Sequence, residues 1–220
     1  MIRFTHEREE PGMHMMIEAA GLAKIFNRRV IFQNVAFVLA QHEVLRVIGK
    51  NGSGKSTLVK IIAHTLTPSH GSVKFRSDEN PDVGETPQRV IGLVSPYLQM
   101  YDEFTALENL RFASRIRGLR PDMERMETLL GTVGLAARRN DAVRTYSSGM
   151  KQRLKYAFAL VHMPSVLILD EPMANLDAEG MEIVRQIMDD QRRSGILIVA
   201  TNDLTDLNSF DHQVDLNATL

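Results

Sequence analysis

The apolar residues of this chain gather in short, nearly unbroken runs divided by polar turns. Runs at residues 44–48, 89–94, 166–169 and 195–200 lack regular alternation with polar positions. That is the pattern of strands buried on both faces of a parallel sheet. Shorter apolar patterns at 17–20, 30–32 and 35–39 precede any helix, with Asn27-Arg28-Arg29 as a turn between the first two. This order predicts an antiparallel opening that then feeds a parallel core strand. Pro68-Ser69-His70-Gly71 marks another turn, and residues 72–76 another strand.

Helices are expected at 58–63, 105–117, 122–133, 150–162 and 177–193. Thr105-Ala106-Leu107-Glu108 has the form of a capping box and opens the second of these. No strand separates the second helix from the third, so the pair reads as a helical insertion in an α/β domain. Residues 77–88 are polar, hold two prolines and a glycine, and read as a surface loop. Residues 95–104 read as irregular and 134–145 as a connecting segment. The remainder, 201–220, is short and is expected to leave no room for a C-terminal regulatory domain.

Composition narrows the picture only a little. The 220 residues suffice for one large domain or two small ones. Hydrophobic residues are 44% and charged residues 24%, as in ordinary globular proteins. A formal net charge of -1 gives no global basic field, so no nucleic-acid partner is expected. The basic stretch Arg138, Arg139, Arg144, Lys151, Arg153 and Lys155 is read as a solvated face. There are no cysteines, which excludes disulfides and thiolate metal sites and suits a reducing cytoplasm. The longest candidate for a membrane span, residues 157–169, is interrupted by His162 and Pro164. His64, His70 and His162 stand alone and are not read as metal ligands. The twelve methionines are read as gap-filling core residues. Residues 1–15 are polar and are read as a lead-in with no expected fold of its own; Met13, Met15 and Met16 are alternative starts. Residues 16–220 form a single expected domain, with a helical subdomain at about 96–160.

One stretch carries chemistry on its own. Gly49-Lys50-Asn51-Gly52-Ser53-Gly54-Lys55-Ser56-Thr57 fits the phosphate-loop pattern G-x-x-x-x-G-K-[ST]. An apolar strand precedes it and a helix follows, which is the context the motif needs. Glycines let the backbone curl so that its N–H groups face one anion. The helix start adds free N–H donors and partial positive charge. Lys55 would reach the β- and γ-phosphates of a nucleotide, and the Ser56 hydroxyl would ligate Mg²⁺. The expected fold class is therefore α/β: a P-loop NTPase core with a mainly parallel sheet, an N-terminal antiparallel β-subdomain and the helical insertion.

Two further groups fit the same chemistry. The apolar strand at 166–169 ends in Asp170-Glu171. If that strand neighbours the strand before the phosphate loop, Asp170 would hold Mg²⁺ through water, and Glu171 would polarise an attacking water. Tyr146-Ser147-Ser148-Gly149 precedes a helix and is a second potential anion cradle; a simple N-cap is the plainer reading.

Taken together, these stretches resemble the nucleotide-binding subunit of ABC transporters. Gly49 to Thr57 matches the Walker A motif, and 166–171 resembles Walker B with its catalytic glutamate. Tyr146-Ser147-Ser148-Gly149-Met150-Lys151-Gln152-Arg153 resembles the family signature, and Ala174-Asn175-Leu176-Asp177 the D-loop. The resemblance spans residues 17–201. It implies ATP and Mg²⁺ as cofactors and a head-to-tail homo- or heterodimer of ATP-binding subunits. Ser147, Ser148 and Gly149 would then act in trans on the partner's γ-phosphate. By position, Phe26 resembles the residue that stacks on adenine; an ordinary core phenylalanine is the alternative.

Three positions depart from the family pattern. The glutamine that senses Mg²⁺ is expected near Pro96, yet the nearest glutamine is Gln99; either the loop is shifted and Gln99 serves, or the contact is absent. Asn202 stands where the family has its switch histidine. Asn donates a hydrogen bond but carries no proton charge, so a reduced rate is one implication. Met150 replaces a glutamine usual in the signature.

The resemblance further implies an ATPase that energises transport through a separate transmembrane permease, from the cytoplasmic face of the membrane. The signature wording and compact size resemble exporter-type subunits, including the haem-exporter ATPase. Residues 95–117 are the expected permease contact. A soluble ABC-type ATPase without a transport role, or a weakly hydrolysing regulatory subunit, are the other readings.

Overall fold

The structure, a computed structural model, describes residues 15–78, 81–203, 207 and 209–217. Of the expected lead-in, residues 1–14 lie outside this description, and Met15 already belongs to a strand.

Strands β1 (Met15–Phe26) and β2 (Arg29–Ala40) form an antiparallel hairpin. Asn27 and Arg28 turn it, both at positive φ (47° and 66°), as two-residue hairpin turns require. The runs at 30–32 and 35–39 are one strand rather than two. The polar Gln33-Asn34 between them is a bulge: Asn34 has φ 58°, and the pairing skips a residue there, from Lys24↔Phe32 to Leu22↔Val35. After β3 (Val44–Ile48) and α1 (Lys55–Ile62), β4 (His70–Ser77) joins β1, giving the sheet order β2-β1-β4.

The second sheet contains β3, β5 (Ile91–Val94), β6 (Val166–Asp170), β7 (Ile196–Thr201) and β8 (His212–Asp215), in the order β5-β6-β7-β3-β8. All its pairings are parallel. Between β5 and β6 lie α2 (Ala106–Ile116), α3 (Met123–Thr132) and α4 (Ser148–Leu160); α5 (Ala178–Ser194) connects β6 to β7. The α/β class, the antiparallel subdomain and the helical insertion are as the sequence implies.

The unbroken apolar runs now have a physical reason. Side chains alternate across a strand. In β6, Val166 and Ile168 enter the core under the antiparallel sheet and α1, while Leu167 and Leu169 enter the core under the helices. In β7, Ile196, Ile198 and Ala200 face the first core, and Leu197 and Val199 the second. Both faces are covered, so neither face is polar.

Several expectations need correction. β6 does not neighbour β3; β7 lies between them. β8 was invisible in a remainder whose strand, His212-Gln213-Val214-Asp215, holds one apolar residue. It sits at the sheet edge, where one buried face suffices, and Val214 and Leu216 supply it. The polar segment 77–88 is not all surface: its described part has two short turns of 3₁₀-helix and buries Val83 and Pro87. Helix α4 starts at Ser148, two residues before the expected start. Met15, Met126 and Met188 are core residues, but Met16, Met123 and Met163 are exposed. The capping box holds: Glu108 N–H donates to Thr105 Oγ1 at 3.1 Å, and Thr105 N–H to Glu108 Oε2 at 2.8 Å.

His162 is buried beside β5, with Nε2 3.0 Å from Ile91 O and Nδ1 without a partner. Burial, with help from the Arg117 and Arg125 charges, pushes its pKa down to about 4. The unfolded chain therefore binds a proton that the folded chain refuses between pH 6.5 and about 4. Stability from this group is complete above pH 6.5 and is lost as pH falls to about 4. The loss is on the order of 3 kcal/mol. His162→Gln, which keeps a donor for Ile91 O, should flatten this acid limb in urea melts from pH 7 to pH 4. An unchanged slope would assign the acid sensitivity elsewhere.

Candidate active site

The phosphate loop joins the end of β3 to the start of α1. Gly52 and Gly54 have φ 81° and 103°, a region that side chains avoid. A Cβ on Gly54 would come 2.6 Å from Ile31 Cγ2, so β2 presses directly on the loop. Gly54 also serves as the N-cap of α1 and offers no side-chain hydrogen bond. By contrast, Thr105, Asp122, Ser147 and Asp177 cap α2, α3, α4 and α5 with their side chains. Among the described α-helices, α1 alone leaves its first N–H groups without a side-chain acceptor. Those groups and the helix dipole face the loop.

Lys55 is buried and donates from Nζ to Gly49 O at 2.8 Å; the same ammonium lies 3.3 Å from Glu171 Oε1. Asp170 closes β6 in full burial, and neither carboxylate oxygen has a hydrogen-bond partner. Burial pushes its pKa up; the Ser56 hydroxyl, near the carboxylate but outside hydrogen-bond geometry, lowers it, and the Glu171 charge raises it again; Lys55 and Lys60 act downward. Although β7 separates β6 from β3, α1 packs back over β6 and brings Ser56 to Asp170. A buried carboxylate without partners, beside a hydroxyl, offers the hard oxygen donors that fit a divalent cation.

Glu171 is strained at φ 51°, a left-handed conformation for a residue with a side chain, and its N–H is held by Ala200 O at 2.8 Å. Tyr156, buried in α4, donates its hydroxyl proton to Pro172 O at 2.7 Å and steadies the turn after Glu171. Asn202 follows β7 and donates from Nδ2 to Asn51 Oδ1 at 3.2 Å, tying the end of β7 to the loop.

An open cleft of about 390 Å³ joins these groups. Phe26, Ile31, Asn51, Gly52, Gly54, Lys55, Ser56, Thr57, Pro96, Tyr97 and Glu171 line it. Phe26 is thus no core residue: it is 43% exposed, with the Lys24 ammonium 4.7 Å from its ring centre. Gln99 is exposed and absent from the lining; Pro96 and Tyr97 form that wall, and the Lys60 ammonium lies 4.1 Å from the Tyr97 ring. Tyr97 was missed because only its offset from the strand end could have marked it. A larger groove, about 530 Å³, lies between the ends of α3, α4 and α5. Its polar groups are engaged: Arg125 donates to Leu160 O and Val161 O, and Gln191 to Pro164 O.

Ser147, Ser148 and Gly149 stand outside the cleft. Ser147 and Ser148 are exposed, and Ser147 Oγ accepts from Met150 N–H at 3.2 Å. Gly149 sits against the turn before α5, where a Cβ would be 3.3 Å from Asn175 O. Asp177 accepts from Gly180 N–H at 2.8 Å. The first part of the basic stretch is a solvated face, with Arg138 and Arg144 exposed, and its charges are paired there. Arg138 pairs with Asp141, Arg139 with Glu127, Arg144 with Glu103 and Lys151 with Asp102. Arg153 donates to Val133 O and Lys155 to Ser95 O.

The phosphate loop, Asp170-Glu171 and Asn202 gather at one end of the parallel sheet, and the family model described as "ABC transporter" matches residues 32–174. This chain belongs to the ABC transporter family. It is similar to the uncharacterized ABC transporter ATP-binding protein YxlF of Bacillus subtilis (strain 168), at 34% identity over 201 residues. That match covers 90% of this chain and 66% of the relative, so the chain spans just under two thirds of YxlF's length. A solved structure of the ATP binding subunit of an ABC transporter superposes with a TM-score of 0.80 at 26% identity, covering 91% of this chain and 85% of that one. The ATP-binding cassette MJ0796, solved as a dimer in a post-hydrolysis state with ADP and Pi, shares the fold. There the TM-score is 0.79 at 22% identity, over 90% of this chain and 93% of the other. Family and fold together make this an ATP-binding, ATPase-type domain. Among the described residues, no helix is long and apolar enough to cross a membrane.

Asp170→Asn removes a buried carboxylate that has no protein partner. It should raise the unfolding free energy of the metal-free protein at neutral pH by about 1–3 kcal/mol. It should also abolish the extra stabilisation that Mg²⁺ confers in the presence of ATP. Denaturant melts with and without MgATP read both effects; a fall in metal-free stability would reveal a structural pairing for Asp170.

Proposed function

We propose that this ABC subunit binds and hydrolyses ATP with Mg²⁺ as half of a head-to-tail dimer, and so energises export through a separate transmembrane permease. The observation that carries the reading is the division of the site. The cleft holds the phosphate loop and Glu171, while the exposed Ser147 and Ser148, with the half-buried Gly149, lie outside it. Such a site is complete only when a second copy, or a related subunit, brings its signature residues across.

Each residue then has a role. The backbone N–H groups of the loop that the protein leaves unengaged, with those at the start of α1, cradle the phosphates. Lys55 exchanges Glu171 for a phosphate oxygen, which leaves the Glu171 carboxylate free to take a proton from water. Ser56 and Asp170 would hold Mg²⁺. The ion, when bound, offsets the phosphate charge. Phe26 stacks on the base, with Lys24 on its ring. Asn202 donates to the terminal phosphate. Gln99 has no place in the cleft, so of the two readings of that loop, the absent glutamine contact fits better. Asp177 orders the turn beside Gly149.

The permease contact falls on residues 95–117. There Tyr101, Phe104 and Phe112 form an aromatic cluster, with ring centres 4.8–6.4 Å apart, and Tyr101, Phe104 and Ile116 are exposed. A hollow of about 290 Å³ lined by Phe104, Glu108, Arg111, Phe112 and Arg115 adjoins it. An exposed aromatic patch with a charged rim suits a protein partner. The signature wording favours export, and the chain would work at the cytoplasmic face of the membrane.

Glu171→Gln should keep ATP affinity, cut turnover by about 10²-fold or more and accumulate an ATP-bound dimer in size-exclusion chromatography. Persistent turnover would remove Glu171 from the general-base role. Asn202→His should preserve or raise turnover; a collapse would mean that the Asn51 contact, not phosphate donation, is what Asn202 supplies. Purification of the tagged chain in gentle detergent should bring down a polytopic membrane protein in stoichiometric amount. Recovery with soluble partners alone would favour a non-transport ATPase.

A further inference from the structure

The phosphate loop is anchored from outside at a second place that no motif marks. Lys50 N–H donates to Asn217 Oδ1 at 3.0 Å, across 167 positions of sequence. Asn217 lies just beyond β8 and is held firmly itself. Its own N–H and its Nδ2 both donate to Asp215 Oδ1 at 2.9 Å. The intervening Leu216 is buried, and its N–H donates to Ile48 O at 2.9 Å. Nδ2 thus faces a carboxylate and Oδ1 faces a donor; turning the amide over would break both contacts.

The Lys50 N–H is one end of a planar peptide whose other end is Gly49 C=O. That carbonyl is the acceptor that holds Lys55 Nζ at 2.8 Å. Asn217 and Lys55 therefore grip opposite ends of one rigid unit. The hinge on its N-terminal side is Gly49, at φ 159°, a residue whose backbone turns readily once a grip is lost. The next carbonyl, Lys50 O, accepts from Ser53 N–H at 3.0 Å and closes the loop's first turn.

We propose that Asn217 is a positioning residue for nucleotide binding: through the Gly49–Lys50 peptide it fixes the carbonyl that aims the Lys55 ammonium. Asn217 touches no nucleotide. Its effect falls on affinity, because loop and lysine engage both ATP and ADP, and not on the water attack at Glu171. The inference rests on the loop being the ATP site. Asp215 is its support, so the two residues act as one unit.

The test uses the full chain, which has no tryptophan, titrated with fluorescent N-methylanthraniloyl ATP and ADP in Mg²⁺. Asn217→Ala should raise both dissociation constants, and KM for ATP, by about 3- to 10-fold, the scale of one hydrogen bond. The change in kcat should stay within about twofold and the unfolding midpoint within a few degrees, as for a lost surface contact. Asp215→Ala should reproduce the effect, and the double variant should be no worse than either single one. Asp215→Asn, which keeps an acceptor, should restore affinity. Unchanged dissociation constants, an effect on ATP but not ADP, additive single effects, or a fall in kcat in place of a rise in KM would each overturn the proposal. Failure of the unaltered chain to bind either nucleotide would instead remove the ATP site itself, and this inference with it.

Discussion

The start of α1 is the constraint on which the rest of the structure depends. Its free N–H groups have no side chain to receive them, because Gly54 caps the helix and β2 leaves no room for a larger residue there. Orphan donors at a helix start demand an acceptor. At the same end of the sheet, Asp170 is a buried acceptor with no donor. The protein therefore keeps an unmatched positive end at the cleft and an unmatched negative end buried behind it. On the proposed reading, a phosphate chain carrying a divalent cation would satisfy both together. The Lys55–Glu171 pair at 3.3 Å is a partial, internal substitute for that match.

The two-sheet architecture serves this arrangement. The antiparallel sheet presses Ile31 and Phe32 onto the loop, so the glycine conformations are enforced from outside as well as permitted from within. The parallel sheet ends its central strands at one edge, where the loop, Asp170-Glu171 and Asn202 gather although their strands are not all adjacent. Burial on both faces holds those strand ends still: nearly every residue of β6 and β7 is inaccessible.

Much of this was legible in the chain. Unbroken apolar runs announced two-sided burial, and the phosphate loop, the Asp170-Glu171 pair and the capping box each carry their chemistry in local spacing. What escaped was long-range or weakly apolar. β8 has one core residue within its strand, so edge placement hid it. The bulge at Asn34 split one strand into two apparent ones, because an extra residue breaks the period that the eye follows. The insertion of β7 between β3 and β6 is a matter of strand order, which no local pattern encodes. Asn217 and Tyr97 were silent for the same reason: their partners, Lys50 and Lys60, are remote in the chain. Gln99 was considered because its residue type suited the role; the backbone path gave the cleft wall to Pro96 and Tyr97 instead.

The connection between the segment after β5 and the start of α4 has a mechanical consequence. Asp102 and Glu103 pair with Lys151 and Arg144, the N–H groups of Val143 and Arg144 donate to Phe104 O and Asp102 O, and Lys155 reaches Ser95 O. Asn109, wholly buried, fastens Tyr101 from the other side. These ties make the cleft wall and the Ser147 cap one mechanically continuous unit. In the proposed dimer, a push on Tyr97 in one cleft would therefore be felt at the serines presented to the second subunit, and the exposed aromatic cluster belongs to the same unit.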